Sequence, residues 1–404
     1  MGRLPLEGVK VADFTWVGVG PLTVKYLADH GATVVHVESL THPDPLRLAP
    51  PFKGGAPGIN RSGFFANYNA SKYGVTLNLA NPKGQEAARR LIAWADVVAE
   101  SFTPGVMARF GLDYGSVRQW KPDVIYYSTC QLGQDGPWAH QPGYGVQLSA
   151  FSGFYHLARW PDRPPAGPYG AYTDFINPRL GAMAILAALE YRRRTGKGQH
   201  IDLSQMEGGI QFLGPLLMDY LNNGREAQPL GNRDPLACPH GAFPAQGEDR
   251  WVVIACFTDA HWQGLVQAMG NPPWALDPKF ATFLGRKAHE DEVEEHIARW
   301  TREHDPFALM HRLQSHGVPC GVVQSQEDLY RDPQLSHRGH FVPLNHTEIG
   351  VHHYDGIPFA LSRTPGRLTK AAPCLGEDTE RVFTGLLGMG LEEYEAYKAA
   401  GAFG

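Results

Sequence analysis

The chain has 404 residues, 43% of them hydrophobic and 19% charged, with a formal net charge of −5. This length and apolar content predict two or three domains with a sizeable buried core. The acidic balance and the lack of any long basic run exclude nucleic acid as an expected partner. The most apolar helical stretch, Leu180 to Leu189, is too short to span a bilayer, which excludes a membrane as the expected medium.

The start, MGRLPLEGVK, carries no apolar core of a secretory signal. Five cysteines, Cys130, Cys238, Cys256, Cys320 and Cys374, lie far apart and form no CxxC. Reduced thiols in a cytoplasmic protein are therefore expected.

Residues 9–14 predict a strand. A glycine loop follows, Trp16-Val17-Gly18-Val19-Gly20-Pro21, and then a helix over 22–30 that Gly31 closes. Pro21 suits a first helical position, and glycine suits the position just past a helix end. Residues 33–38 form a Val-rich second strand, parallel to the first. Asn81-Pro82 can cap and start a helix whose apolar face includes Ala87, Ala88, Leu91, Ile92 and Ala95. Strands follow at Val97-Val98 and over 124–128. This alternation over the first ~200 residues predicts an open, Rossmann-like α/β sheet.

A long helix is expected over 178–194, capped by Asn177, with Arg192, Arg193 and Arg194 at its negative end. A strand at 201–203 follows it. The Gly- and Pro-rich stretch 225–241 reads as a connection into a smaller α/β unit. That unit has a strand at 251–255, a helix at 259–269 capped by Thr258, charged helices within 286–316 and a strand at 318–324. From His340 onward the pattern loses its periodicity.

Four features invite a chemical reading. The loop at Gly18 and Gly20 opens a helix, where backbone N–H groups can hold a phosphate, and Glu38 ends the next strand as a ribose-binding acid would. The third glycine of GxGxxG is replaced by Thr23, so the loop serves equally as a tight strand–helix turn. Asp174, in Gly-Ala-Tyr-Thr-Asp-Phe-Ile-Asn-Pro, sits just upstream of the long helix. The positive field there favours an ionised, nucleophilic carboxylate, or else a helix-entry Asp that only satisfies local amides. Lys72, Phe102 and Arg109 supply cations and an aromatic face for phosphates and a base, or are scattered surface residues. The eighteen histidines form no HExxH and no zinc spacing, His352-His353 reads as a solvated loop pair, and GxSxG is absent. No metal is expected.

Several segments together resemble the family III CoA-transferases. They are Pro5-Leu-Glu-Gly-Val-Lys-Val-Ala-Asp-Phe, then Gly20-Pro21, then Leu27-Ala-Asp-His-Gly-Ala, and the run from Ala95 through Glu100-Ser-Phe-Thr-Pro-Gly to Arg109-Phe-Gly-Leu. Gly133-Gln-Asp-Gly-Pro, Pro142-Gly-Tyr, Arg194-Thr-Gly-Lys-Gly-Gln, Val318-Pro-Cys-Gly-Val-Val, Asp332-Pro-Gln-Leu and Leu361-Ser-Arg-Thr-Pro-Gly follow in the same order. The resemblance implies transfer of CoA from an acyl-CoA to a free carboxylic acid, with Asp174 as the carboxylate that carries the acyl group. It places CoA contacts on Trp16, Val17, Gly18, Lys72, Phe102, Arg109 and Phe110. Gln134, Tyr144 and Gly231 are candidate substrate or oxyanion positions. The coenzyme thioester is then a substrate, and no tightly bound cofactor is implied.

The chain departs from the family pattern at Gly18, where formyl-CoA transferase has a glutamine, at Ser101 and at Ser39. A small Gly18 is expected to leave room for an acid bulkier than oxalate, with Trp16, Phe151, Phe154, Tyr155 and Tyr169 as candidate aromatic lining. Succinyl-CoA as donor and an aryl-dicarboxylic acceptor of the benzylsuccinate kind fit that expectation. The α-methylacyl-CoA racemases share the fold but use a His-Asp pair where this chain has Tyr144-Gly145, so a proton-abstracting base is missing. A non-catalytic subunit of a hetero-oligomer is the other alternative. The resemblance further implies a large domain over 1–224, a small one over 225–330, a return of 331–404 to the large domain, and an interlocked dimer, either a homodimer or a heteromer with a related subunit.

Overall fold

The computed structural model describes residues 4–404, so the first three residues of the expected 1–224 domain lie outside the described ones. The chain forms two compact units. One contains residues up to 154, 168–225 and 333–404, and the other contains 155–167 and 226–332.

The first unit is built on a six-stranded sheet. Its strands are β1 (Lys10–Phe14), β2 (Thr33–Glu38), β3 (Tyr73–Thr76), β4 (Val97–Glu100), β5 (Ile125–Cys130) and β6 (Gln199–Ser204), in the order β3-β2-β1-β4-β5-β6. Every pairing in it is parallel. The central strands β1, β2 and β4 are rich in Val and Ala because both faces are covered, whereas the edge strand β6 is mostly polar and partly exposed. Alternate residues feed two cores: Ala12, Phe14, Val35 and Val98 face one, and Val11, Val34, Val97 and Ala99 the other. The first core also takes Val382, Phe383, Tyr394, Tyr397 and Phe403, which seats the C-terminal segment on this sheet. The second core is closed by Val24, Leu27 and Ala28 of the Val19–Asp29 helix and by Ile185 and Ala188 of the Tyr172–Thr195 helix.

The Pro82–Trp94 helix begins at the expected Asn81 cap, whose side chain accepts from the Lys83 amide. The long helix differs from expectation. It starts at Tyr172, six residues early, and carries Pro178 in its interior. Asn177 is therefore no cap. Its side-chain amide donates to the carbonyls of Thr173 (2.8 Å) and Gln205 (3.0 Å) inside the fold. Pro178 removes the donor that an unbroken helix would aim at the Asp174 carbonyl.

The second unit holds an antiparallel sheet of β7 (His240–Pro244), β8 (Trp251–Ala255) and β9 (Cys320–Val322). Three helices, Asp259–Ala268, Glu290–Thr301 and Pro306–Ser315, pack Leu265, Val293, Ile297 and Leu309 with that sheet. Thr258 caps the first of them through the His261 amide.

The weakly periodic tail contains a hairpin in the first unit, β10 (Phe341–His346) with β11 (Gly350–Asp355). His352 and His353 are strand residues of β11 rather than a solvated loop pair. Among the described residues no helix is long and apolar enough to cross a membrane, and all five cysteines are free.

Candidate active site

Strand order reverses between β1 and β4, the topological switch point at which open α/β sheets bind ligands beyond the strands' carboxyl ends. A cavity of about 350 Å3 lies there. It is lined by residues 16–20 after β1, by Ser101, Thr103 and Pro104 after β4, by Cys130 and Gln131 at the end of β5, by several residues of 139–148, and by Asp174 and Gln205.

Asp174 sits in the first turn of the Tyr172–Thr195 helix, not upstream of it. Two glycines press on its carboxylate from different parts of the chain. A Cβ on Gly18 would lie 2.7 Å from Oδ2, and a Cβ on Gly145 would lie 2.3 Å from Oδ1. No larger residue fits at either position without moving the carboxylate. The volume that a small Gly18 was expected to offer a bulkier acid is thus filled by Asp174 itself. Oδ1 is buried with no hydrogen-bond partner. Burial pushes the carboxyl up to about 6, against a hydrogen bond from the Thr173 side chain. A carboxylate stripped of water, with one oxygen partnerless, yet ionised near neutrality, is suited to attack on an acyl carbon.

The Val19–Asp29 helix starts in the same crevice. Its N-cap, Gly18, offers no side-chain cap, and Pro21 sits in its first turn. The first amides of that helix have no intrahelical acceptor, so they remain available to negative charge that develops in the cavity.

The loop between β1 and this helix is fixed by polar contacts from elsewhere in the sheet. The Trp16 indole N–H donates to the Val37 carbonyl (3.0 Å) and its ring meets Phe102 edge-on with centroids 5.0 Å apart. The Ser101 hydroxyl accepts from the Trp16 amide (2.8 Å) and donates to the Trp16 carbonyl (3.2 Å). Tyr144 and Gly145 open the Gly145–Phe151 helix on the far wall, with Tyr144 largely exposed.

Other expected site residues fall elsewhere. Lys72 is wholly buried. Its ammonium donates to Asp13 Oδ2 (3.1 Å), the Pro21 carbonyl (2.9 Å) and Asn69 Oδ1 (2.8 Å), so all three protons are used within the fold and none is left for a phosphate. Burial lowers its pKa while Asp13 opposes that effect. Burial alone would raise the Asp13 pKa, but Lys72 and His36 outweigh it and hold the carboxyl below its usual range. Glu38 binds the buried Arg47 guanidinium, Nη2 to Oε2 at 2.6 Å, and is no ribose ligand.

Gln134 lines a different cavity, of about 280 Å3, with Glu100, Ser128, Tyr114 and His200. Its amide N–H donates to Asp202 Oδ2 at 2.9 Å. Gly231 belongs to the second unit, where its left-handed backbone (φ 61°) lies against the Trp160 ring. Phe102 and Phe110 are half-buried against the first core, and Arg109 is exposed at the end of the Val106–Arg109 helix. Of the expected aromatic lining only Trp16 faces the cavity. Tyr155 is in the second unit, Phe154 packs on Tyr172 with centroids 5.0 Å apart, and Phe151 and Tyr169 are exposed away from it. Sequence reading noted Gly145 only as standing in place of a racemase base, and missed Gln131, Gln141 and Gln205, which line the cavity with it.

A model of CoA-transferase family III matches residues 6–379. The chain belongs to this family. This CoA-transferase is 34% identical to succinate–glutarate CoA-transferase of Agrobacterium fabrum, over 95% of this chain and 96% of that one. It is 30% identical to succinyl-CoA–D-citramalate CoA-transferase of Chloroflexus aurantiacus, over 95% and 94%. The crystal structure of a CAIB/BAIF family protein from Brucella suis superposes with a TM-score of 0.88 at 30% identity, covering 95% of this chain and all of that one.

Proposed function

We propose that this CoA-transferase takes CoA from succinyl-CoA and gives it to a dicarboxylic acid, with Asp174 carrying the acyl group and then the coenzyme. The observation that carries the reading is the Asp174 carboxylate, desolvated and partnerless at Oδ1 in the switch-point cavity. It attacks the donor thioester carbonyl and expels CoA thiolate, leaving a mixed anhydride. The thiolate then attacks the aspartyl carbonyl and releases succinate, which leaves an aspartyl-CoA thioester. The acceptor carboxylate attacks that thioester, and returning thiolate frees Asp174 and the new acyl-CoA. Each step exchanges one activated acyl bond for another, so no ATP is consumed. The first amides of the Val19–Asp29 helix, which have no intrahelical acceptor, would donate to the oxyanions.

Succinyl-CoA as donor draws support from the name of the Chloroflexus relative, and a dicarboxylic acceptor from the dicarboxylates, citramalate, succinate and glutarate, in the names of both. An aryl-bearing acceptor of the benzylsuccinate kind is supported by Trp16, Tyr144 and Leu148 in the cavity wall. The exposed Arg109 is the cation proposed for the CoA phosphates, with Phe102 and Phe110 beside it. A dimer belongs to this reading too. Phe212, Leu217, Met218, Tyr220 and Leu221 form an exposed apolar run in the first unit that a second chain would cover.

Racemisation is disfavoured at the site itself. Gly145 stands where a side chain would collide with Asp174, so the His-Asp pair that racemisation uses has no room here. Incubation with succinyl-CoA and a panel of glutarate, citramalate, benzylsuccinate and aryl monoacids, read by mass of the CoA esters, tests the proposal. Formation of benzylsuccinyl-CoA supports all of it. Transfer to aliphatic acids alone rejects the aryl acceptor, and absence of any transfer from succinyl-CoA rejects the donor.

A further inference from the structure

The turn that presses on Asp174 is strained at one residue. Val17 has φ 66°, in the left-handed region that a β-branched side chain strongly disfavours. Such a conformation persists only where its surroundings impose it. Here the imposing group is visible. The Val17 amide donates to both oxygens of Asp44, at 3.1 Å and 3.2 Å, and Asp44 is completely buried.

Asp44 is itself held rigid. Its carboxylate accepts from the Leu46 amide (2.9 Å), and its own amide donates to Glu38 Oε1 (3.0 Å). Glu38 is anchored in turn by Arg47. The two ends of the turn are tied by the neighbouring buried pair: Asp13 accepts from the Thr15 amide (3.0 Å), and Lys72 donates to the Pro21 carbonyl (2.9 Å). The Ser101 hydroxyl holds Trp16, and Asp44 holds the next amide, that of Val17, one residue before Gly18, where a Cβ would lie 2.7 Å from the nucleophile's Oδ2.

We propose that Asp44 is a positioning residue of the transfer reaction: its buried carboxylate holds the strained Val17 amide and so sets the Gly18 backbone against the Asp174 carboxylate. The inference rests on Asp174 being the nucleophile. Were Asp44 removed, Val17 would relax out of the left-handed region and carry Gly18, and the first amides of the helix, away from the reacting atoms. Substrate recognition by the rest of the cavity would be unchanged, so the loss belongs in kcat.

The test is a double-mutant cycle on the full chain, with Asp44→Ala made in the wild type and in Val17→Gly, since glycine adopts the left-handed turn without being forced. In the wild type, Asp44→Ala is expected to lower kcat about 30-fold, with KM for the CoA thioester changed less than about threefold. On the Val17→Gly background the same substitution is expected to cost less than about threefold. Equal losses on both backgrounds, a loss confined to KM, or undiminished activity in Asp44→Ala would overturn the proposal. Should Asp44→Ala fail to fold, Asp44→Asn, which keeps one acceptor oxygen, is read in the same cycle with the same criteria and a smaller expected loss. Asp174→Ala, assayed alongside, tests the nucleophile by itself: if it retains full turnover, the proposed function fails, whatever the cycle shows.

Discussion

Replacing Asp174 by asparagine should make the protein more stable as it abolishes transfer. Burial moves this carboxyl from its ordinary 3.8 to about 6, which corresponds to about 3 kcal/mol of native-state cost for the ionised form. Asparagine removes that charge but leaves a neutral amide with no partner at the buried Oδ1 position, which forfeits about 1 kcal/mol. The net gain at pH 8 is therefore about 2 kcal/mol, or a few degrees in Tm. The sign with pH follows from linkage. Folded-state pKa exceeds unfolded-state pKa, so the wild type is unpenalised when both states are protonated and loses stability as pH rises from 4 through about 6. Paired thermal melts of the wild type and Asp174→Asn, taken from pH 4 to pH 8, read this directly. The variant's advantage should be largest at pH 8 and gone by pH 4. An advantage that is independent of pH, or a variant less stable at pH 8, would refute the reasoning that Asp174 is a desolvated and uncompensated charge.

Activity should rise with pH on an acid limb near 6, because the nucleophile must be ionised; a pH profile of kcat/KM checks this. Burial also pushes Asp44 up to about 6, so a second group is lost over the same range and the limb should fall more steeply than one proton allows. Gly145→Ala puts a methyl 2.3 Å from Asp174 Oδ1 and from the Ala171 Cβ, and should lower kcat by about 100-fold through a displaced carboxylate while destabilising the fold by about 1–3 kcal/mol in a thermal melt. Lys72→Met leaves Asp13 buried without its cation and should destabilise the fold by about 3–5 kcal/mol in denaturant titration; a rise in KM at unaltered stability would restore it as a CoA contact. Arg109→Ala, at an exposed position, should raise KM for the CoA thioester about tenfold without moving the melt.

What could be read in the sequence was what neighbouring residues settle between themselves. The first strand–loop–helix–strand unit was legible because β1 and β2 alternate apolar residues between two cores and Gly31 closes the helix between them. Asn81 and Thr258 are caps whose amide donors lie two and three residues away. β3 escaped because it is four residues long and contains a glycine. The long helix was begun too late because Pro178 looks like a first-turn residue; the bonds from Asn177 that accompany it in the helix interior involve Gln205, which no local pattern displays.

The site divides the same way. Asp174 stood out through its surroundings and its family resemblance, whereas Lys72 was misread because its partner, Asp13, is 59 positions away. A lysine among polar neighbours looks exposed until the strand pairing of β1, β2 and β3 is known. Gly145 could be recognised only once its approach to Asp174 was seen, since glycine in a loop has many uses. Glu38 at the end of β2 and Asp44 in the segment after it carry the same lesson: each turns inward, to Arg47 for one and to the Val17 amide for the other.

Transfer by this route requires that the Asp174 carboxylate become covalently acylated. Hydroxylamine added during turnover with succinyl-CoA and an acceptor acid, followed by peptide mass spectrometry, tests it most directly. A hydroxamate is expected on Asp174, dependent on the CoA thioester and missing from the Asp174→Ala chain. An active enzyme whose Asp174 peptide stays unmodified under those conditions would contradict it.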